Sequence, residues 1–283
     1  MNENSQQKTP QIKDWLSGAT RQLIAAGIGS AKLDAEIILA HTLRRSRTYL
    51  HAHDDELLDP RHYEIAEARL QLRLDRTPIA YIIGHKEFYG RLFKVSPATL
   101  IPRPESETII ELLKEKLSKN ASLLNDTKRL IDVGTGSGCL GVTAKLEFPE
   151  LDVTLSDVSR HALNVAQDNA KQLKAEVTLL QSDLLSRYPL AAHYIVANLP
   201  YVATQWERSP ETDYEPALAL FAENEGLELI YKLIEQSDDH LLRNGLLILE
   251  ADPRQHQSII EKAKKHGLIL DEIRGFIACF IKS

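Results

Sequence analysis

The sequence predicts a mostly parallel α/β sheet preceded by a small all-helical domain. Three observations carry that reading. Up to about residue 85 the apolar residues recur at helical spacing, and no strand-like alternation interrupts them. Beyond Phe88, short apolar runs alternate with helical stretches, which implies crossover connections and a sheet covered on both faces. A glycine-rich turn follows the first of the sheet-forming runs directly. At 283 residues the chain suits one large domain, or one full domain with a smaller partner.

In order along the chain, Ile12, Trp15, Leu16, Ala19 and Leu23 mark one face of a first helix. Ser30 is placed to cap a second, carrying Leu33, Ile37, Ile38 and Ala40. Ala66, Leu70 and Leu74, four apart, mark a third. Phe93 and Val95 suggest a short strand, and Pro104 suits the first turn of a helix running to about Leu117. Ser118–Ser122 and Asn125–Thr127 read as a loop. Strands are expected at Leu130–Val133, Val153–Leu155, Val177–Leu180, Tyr194–Ala197 and Leu246–Glu250, with Phe276–Ile281 as a final strand at the sheet's end. Ligands of such sheets bind beyond the carboxyl ends of the strands.

Composition narrows the class. Hydrophobic residues at 43% and charged residues at 26% exclude disordered and fibrous chains. Thirty-four basic against 40 acidic residues leave a net charge of −6, which argues against non-specific nucleic-acid binding. Two cysteines, Cys139 and Cys279, make no disulfide framework and no zinc spacing. The polar start lacks the apolar region of a secretory signal, and no apolar run reaches the roughly 17–25 residues that span a membrane. A cytoplasmic protein is expected, with no membrane association.

The strand Leu130–Val133 leads into Gly134-Thr135-Gly136-Ser137-Gly138-Cys139-Leu140-Gly141. Gly136, Gly138 and Gly141 satisfy the dinucleotide pattern, in which glycines let a ligand approach the backbone at a helix N-terminus. Asp157 ends the next strand about 20 residues on, where an acid that binds ribose hydroxyls belongs. A nicotinamide dinucleotide and S-adenosylmethionine both fit, and a purely structural turn is the bland alternative. Asp132 favours the sulfonium cofactor with its ammonium group, because a carboxylate before the glycines would repel a pyrophosphate. Asp183 is placed either to accept from the exocyclic amine of adenine, with Leu184 against the ring, or to cap a helix.

The turn after the fourth strand reads Asn198-Leu199-Pro200-Tyr201. A planar NH₂ is a poor nucleophile because its lone pair is delocalised. Two acceptors, the Asn198 side-chain oxygen and the Leu199 carbonyl, can hold both its hydrogens and turn the lone pair toward an electrophilic methyl. Pro200 stiffens the turn, and Tyr201 offers a ring face to a flat or positive group. An ordinary strand-ending turn is the alternative.

These segments together resemble the HemK/PrmC-type protein-(glutamine-N5) methyltransferases, which modify peptide-chain release factors. The resemblance runs from Arg76–Gly84 and His85–Gly90 through Leu100–Glu107, the glycine loop and Asn198–Tyr201. It continues through Glu215–Phe221 and Gly226-Leu227 to Glu250 and Gln255. It implies a Rossmann-like S-adenosylmethionine-dependent methyltransferase sheet over 99–283, a hairpin linker over 86–98 and a helical domain over 1–85 that helps hold the substrate. Its implied cofactor is S-adenosylmethionine. Its implied partner is a class I release factor, methylated on the glutamine amide of its Gly-Gly-Gln loop, by an enzyme expected to be a monomer.

By position in the motifs, Gly134, Thr135, Gly136, Ser137, Gly138, Asp157, Asp183, Leu184 and Asn198 carry over to the cofactor, and Asn198, Leu199, Pro200 and Tyr201 to the glutamine. Two departures stand out. Leu199 replaces the proline usual at the second position of the turn, which keeps the carbonyl and bears on loop rigidity. Phe276–Phe280 runs apolar where a basic residue is expected. Other acceptors in view are a ribosomal-protein glutamine or a nucleic-acid adenine. A nicotinamide-dependent oxidoreductase rests on the glycine pattern alone.

Smaller signals have ordinary readings. His51, His53, Asp54 and Asp55 read as solvated loop residues, with no metal site expected. Cys139 reads as a small packed residue. Arg103 either reaches the active site or flanks a helix whose first turn carries Glu105 and Glu107. The polar stretch between Tyr201 and Phe221, with Trp206 inside it, reads as a substrate-facing lid.

Overall fold

The computed structural model describes residues 9–119, 128–207 and 209–283; most of the loop expected at 118–127 lies outside them. The chain divides into two compact units. One runs to Gly84 and takes in Pro210–Tyr214; the other comprises His85–Ser209 and Glu215–Ser283.

The first unit is helical: α1 (Ile12–Ala25), α2 (Ala31–Leu43), α3 (Arg47–Ala52), α4 (Pro60–Leu74) and α5 (Ile79–Ile83). Helix α2 is central. Ala35, Ile38 and Leu39 are fully buried against Trp15, Ala19, Leu23, Ala66 and Leu70, whereas Leu33 is exposed. Ser30 does not cap α2 through its side chain. Its ψ of 16° departs from the extended geometry that caps need, and its hydroxyl donates instead to Asp34 at 2.8 Å. Asp34 also accepts from the buried Arg73 at 2.7 Å, and Arg73 in turn donates to Glu211 at 3.1 Å. Buried charge is tolerable there because it is paired on both sides. His51 lies 3.3 Å from Glu36, and His53 stacks on Tyr49 at 4.0 Å. Among the described residues, no His, Cys, Asp or Glu cluster has the geometry of a metal site.

The second unit opens with a hairpin, β1 (His85–Phe88) and β2 (Arg91–Lys94), in register His85↔Lys94 through Phe88↔Arg91. The segment expected as a linker is packed into this unit's own core. Phe88 and Phe93 meet edge to face at 6.1 Å within it. The side chain of Asn169 grips the backbone of Lys94 from both sides, accepting at 2.7 Å and donating at 3.0 Å.

Seven strands follow: β3 (Arg129–Val133), β4 (Asp152–Asp157), β5 (Thr178–Gln181), β6 (Ala192–Ala197), β7 (Leu241–Glu250), β8 (Leu268–Arg274) and β9 (Ile277–Lys282). They lie in the order β5-β4-β3-β6-β7-β9-β8. The first five are parallel, and β9 runs antiparallel to both β7 and β8. Helices α6 (Glu107–Lys119), α7 (Cys139–Glu147), α8 (Arg160–Leu173), α11 (Glu228–His240) and α12 (His256–Lys265) accompany the sheet, with the short α9 (Ala217–Leu220) and α10 (Glu223–Gly226) before α11. Alternate residues of each strand serve opposite faces. Leu130, Val196 and Ile248 join one core cluster, and Ile131, Ala197 and Leu249 the other.

The run Phe276–Ile281 forms β9, which lies inside the sheet and not at its end. Ile277, Ala278, Cys279 and Phe280 are all fully buried, as a strand covered on both faces requires. The edge is β8, whose Ile269, Leu270 and Ile273 are exposed. Near this strand Arg274 donates to Glu115 at 2.7 Å, and Lys116 pairs with Asp271. No described helix is long and apolar enough to cross a membrane.

Candidate active site

Strand order reverses between β3 and β6, because the chain moves outward from β3 through β4 to β5 and then returns to the other side of β3. A crevice opens at such a switch point. Val133 and Ala197 are register partners there, so the residues that follow them, Gly134 and Asn198, leave the sheet side by side. The glycine loop and the Asn198–Tyr201 turn are thus neighbours, although far apart in sequence.

Asp132 holds the glycine loop from below. Its carboxylate is buried and accepts from the Thr135 hydroxyl at 2.6 Å and from the Gly141 N–H at 2.9 Å. Burial pushes its pKa up to about 6, with Asp157 adding repulsion and the two hydrogen bonds opposing. Both bonds fall on Oδ2, and the buried Oδ1 has no hydrogen-bond partner among the described residues. Gly141 must be glycine, since a Cβ there would lie 2.2 Å from Leu155.

A cavity of about 290 Å³ opens above this loop, lined by Gly134 to Ser137, Asp157, Ser182 to Leu184 and Asn198 to Pro200. Gly138 lies outside the lining; its left-handed backbone starts α7, and a Cβ would meet Ala166 at 3.1 Å. Asp157 accepts one backbone N–H on each carboxylate oxygen, from Gly136 at 3.0 Å and Ser159 at 2.8 Å. Each oxygen keeps acceptor capacity for a further donor. Burial raises its pKa against those bonds. The buried Ser137 hydroxyl has no protein partner among the described residues, and Ser137 lines the cavity.

Asp183 is no helix cap: its carboxylate is half exposed on the cavity wall and pairs with Lys232 of α11 at 2.6 Å. Leu184 beside it is buried and left-handed at φ 48°. Cys139 lines the cavity, and burial pushes its thiol up to about 12, which favours the protonated form. Arg103 also reaches the cavity wall, where it donates to Glu215 at 2.6 Å; Glu215 accepts from the Ile101 N–H at 3.0 Å as well.

The turn itself is tied down at several points. Leu199 is buried, and a Cβ on Gly134 would sit 2.8 Å from its Cδ2, so leucine at this position packs onto the glycine loop. Asn198 Nδ2 donates to Ser106 Oγ at 2.9 Å, Ser106 donates to Glu250 at 2.5 Å, and the Tyr201 hydroxyl donates to the other Glu250 oxygen at 3.0 Å. Burial raises the pKa of Glu250, and burial together with Glu250 lifts the Tyr201 phenol far above its usual range. Gln255 Nε2 donates to the Tyr201 carbonyl at 2.9 Å and to that of Glu225 at 2.8 Å. Tyr201 is held behind the turn and is not among the cavity-lining residues.

The bonding roles of Ser106, Glu215, Lys232, Glu250 and Gln255 escaped the sequence reading. Each lies on a different element from its partner, and no local spacing signals such a pair. In the stretch between Tyr201 and Phe221, Arg254 lies 3.8 Å over the Trp206 ring, Val202 bridges to Phe221, and Pro210–Tyr214 groups with the helical unit.

Comparison with known proteins follows the same division. Residues 14–84 match the model of the PrmC N-terminal domain, and residues 107–212 that of the methyltransferase small domain. A release factor glutamine methyltransferase of Koribacter versatilis is 39% identical over 86% of this chain and 88% of its own. One of Leptospira interrogans is 36% identical over 88% of this chain and 89% of its own. Among solved structures, a methyltransferase of Pyrococcus furiosus superposes with a TM-score of 0.52 at 20% identity, covering 77% of this chain and 98% of its own, which shows a shared fold. With whole-length identity of this order behind the site geometry, the chain belongs to the release factor glutamine methyltransferase family.

Proposed function

We propose that this chain transfers a methyl group from S-adenosylmethionine to the side-chain amide nitrogen of the glutamine in the Gly-Gly-Gln loop of a class I release factor. The observation that carries the proposal is the side-by-side exit of Gly134 and Asn198 from β3 and β6. It sets a ligand-cradling loop against an amide acceptor on the wall of one cavity.

The residues present suit the cofactor. The two Asp157 oxygens have capacity for a pair of ribose hydroxyls. Ser137 has an uncommitted hydroxyl in the lining, Leu184 supplies an apolar wall, and Asp183 sits beside it as an acceptor. When bound, S-adenosylmethionine supplies a methyl on positively charged sulfur, an electrophile that requires no activation by an acid.

The chain's own part is to hold and desolvate the acceptor. Asn198 Oδ1 and the Leu199 carbonyl take the two hydrogens of the glutamine NH₂, which favours positive charge developing on nitrogen. Methyl transfer would break the methyl–sulfur bond as the N–C bond forms, leaving a neutral thioether, and the N-protonated amide, a strong acid, would lose one proton to water without a dedicated base. Pro200 and the Leu199–Gly134 contact keep the two carbonyl acceptors in place. The helical unit, which matches the PrmC N-terminal domain, is assigned to holding the release factor.

Mass spectrometry of a class I release factor incubated with this protein and S-adenosylmethionine tests the proposal, with a Gln→Ala change in the Gly-Gly-Gln loop as control. One added methyl on that glutamine, absent from the control, is expected. Cofactor binding with no methyl on the release factor overturns the substrate assignment, and preferential binding of NADH over S-adenosylhomocysteine overturns the reaction.

A further inference from the structure

We infer that Ser106 and Glu250 are positioning residues that set which face of the Asn198 amide meets the acceptor. This deepens the proposed function, because it rests on Asn198 being the group that holds the glutamine NH₂.

An Asn side chain has two nearly isosteric ends, one accepting and one donating, and only the accepting end serves here. With the ends exchanged, Nδ2 would face the hydrogens of the acceptor, and the site would repel its substrate group. Something must choose between the two, and the choice follows from the donor inventory. As a carboxylate Glu250 can only accept; burial raises its pKa, and the Ser106 and Tyr201 hydroxyls and the Arg103 charge oppose that rise. Both side chains on it are hydroxyls: Tyr201 on Oε1 at 3.0 Å and Ser106 on Oε2 at 2.5 Å. Ser106 has a single hydrogen, and Glu250 takes it. The Ser106 oxygen can therefore only accept from its other neighbour, so the Asn198 atom 2.9 Å away must be Nδ2. Oδ1 is left at the opposite end.

Glu250 is 1% exposed, and Ser106, which borders the cavity, is 2% exposed, so their bond lies almost wholly within protein. Three separate segments meet in this chain of bonds: the turn before α6, the end of β7 and the turn after β6. Neither Ser106 nor Glu250 is assigned contact with substrate; both act through Asn198. Tyr201, donating to the same carboxylate, fixes the far end.

The test uses the full chain, with wild type as reference in the same release-factor methylation assay. Ser106→Ala is expected to lower kcat roughly 10- to 100-fold, the scale of a mispositioned catalytic group, while the Kd for S-adenosylhomocysteine stays within about threefold. Ser106→Thr keeps the hydroxyl and is expected to recover most of the rate. Glu250→Gln, which can present either end to Ser106, is expected to lower kcat alone but to add little in the Ser106→Ala background.

A second readout needs no substrate. The Asn198 side-chain amide, identified by loss of its ¹H–¹⁵N signals in Asn198→Asp, is expected to exchange slowly in wild type and markedly faster in Ser106→Ala. Wild-type kcat in Ser106→Ala overturns the inference. So does a full Glu250→Gln loss that persists without Ser106, or unchanged amide exchange. If wild type itself methylates no release factor, the proposed substrate fails, and the exchange measurement still decides the positioning role.

Discussion

Gly226 stands where two parts of the site press closest together, and replacing it with alanine tests how rigidly the acceptor turn is braced. Its φ is +83°, and a Cβ there would lie 2.0 Å from the Tyr201 carbonyl oxygen and 2.7 Å from Gln255 Nε2. The first neighbour is backbone and cannot swing aside. A left-handed alanine costs about 1–2 kcal/mol, and crowding against fixed backbone costs about 1–3 kcal/mol. If Gln255 is pushed off, its bonds to the Tyr201 and Glu225 carbonyls are lost, at about 1 kcal/mol each.

With Gln255 displaced, the expected total is about 4–7 kcal/mol, less whatever a shift of the turn relieves. Any such shift moves Tyr201 and, through the two residues between, Asn198. Equilibrium urea unfolding followed by circular dichroism reads the stability, and methyl transfer to a release factor reads the turn. A drop in kcat of around 100-fold is expected with cofactor affinity nearly unchanged. Destabilisation below about 1 kcal/mol with wild-type kcat would refute the reasoning, because the turn would then yield to Gly226→Ala without cost.

Asn198→Ala is expected to lower methyl transfer by about 100-fold or more while S-adenosylhomocysteine binds nearly as in wild type. Equal loss of both in calorimetry and turnover would show that Asn198 serves the cofactor instead. Asp132 gives a pH signature. Its pKa is raised in the fold to about 6, so the native protein holds a proton that the unfolded chain releases near pH 4. Its stabilising contribution is complete below pH 4 and is lost as pH rises through 6. Asp132→Asn keeps an acceptor for Thr135 and Gly141 and carries no charge. It is therefore expected to be the more stable protein at pH 8, by up to about 3 kcal/mol, with the gap closing toward pH 5; urea midpoints at the two pH values read it, and a gap independent of pH would count against the burial argument. The stretch from Tyr201 to Phe221 is expected to lose protease sensitivity when S-adenosylhomocysteine and a release factor are both present. Cleavage at an unchanged rate would remove the case for a lid.

Chemistry that is local was legible in the sequence. The apolar runs Leu130–Val133 and Tyr194–Ala197 marked buried strands, and the glycines of the loop and the acid at Asp157 read as a ligand-binding turn because such a turn needs those residue types at that spacing. Asn198-Leu199-Pro200-Tyr201 read as an acceptor turn for the same reason: its functional groups are consecutive. What tertiary structure alone decided were the partnerships across segments. Phe276–Ile281 read as the last strand because it came last, yet burial of both its faces put it inside β8. Asp132 read as a charge that disfavours a pyrophosphate, and the fold showed that its Oδ2 holds Thr135 and Gly141 on the returning helix.

Leu199 read as a loss of stiffness, because proline acts through its own ring while leucine acts through whatever it touches. What it touches, Gly134, is 65 residues away in the chain and next to it in the sheet. Ser106, Glu250 and Asn198 come from three such separated stretches. A sequence determines which groups a chain carries and the local geometry they prefer. Which of two isosteric ends of an amide faces a substrate depends on a hydrogen bond to a residue brought from elsewhere, and only the packed fold sets that.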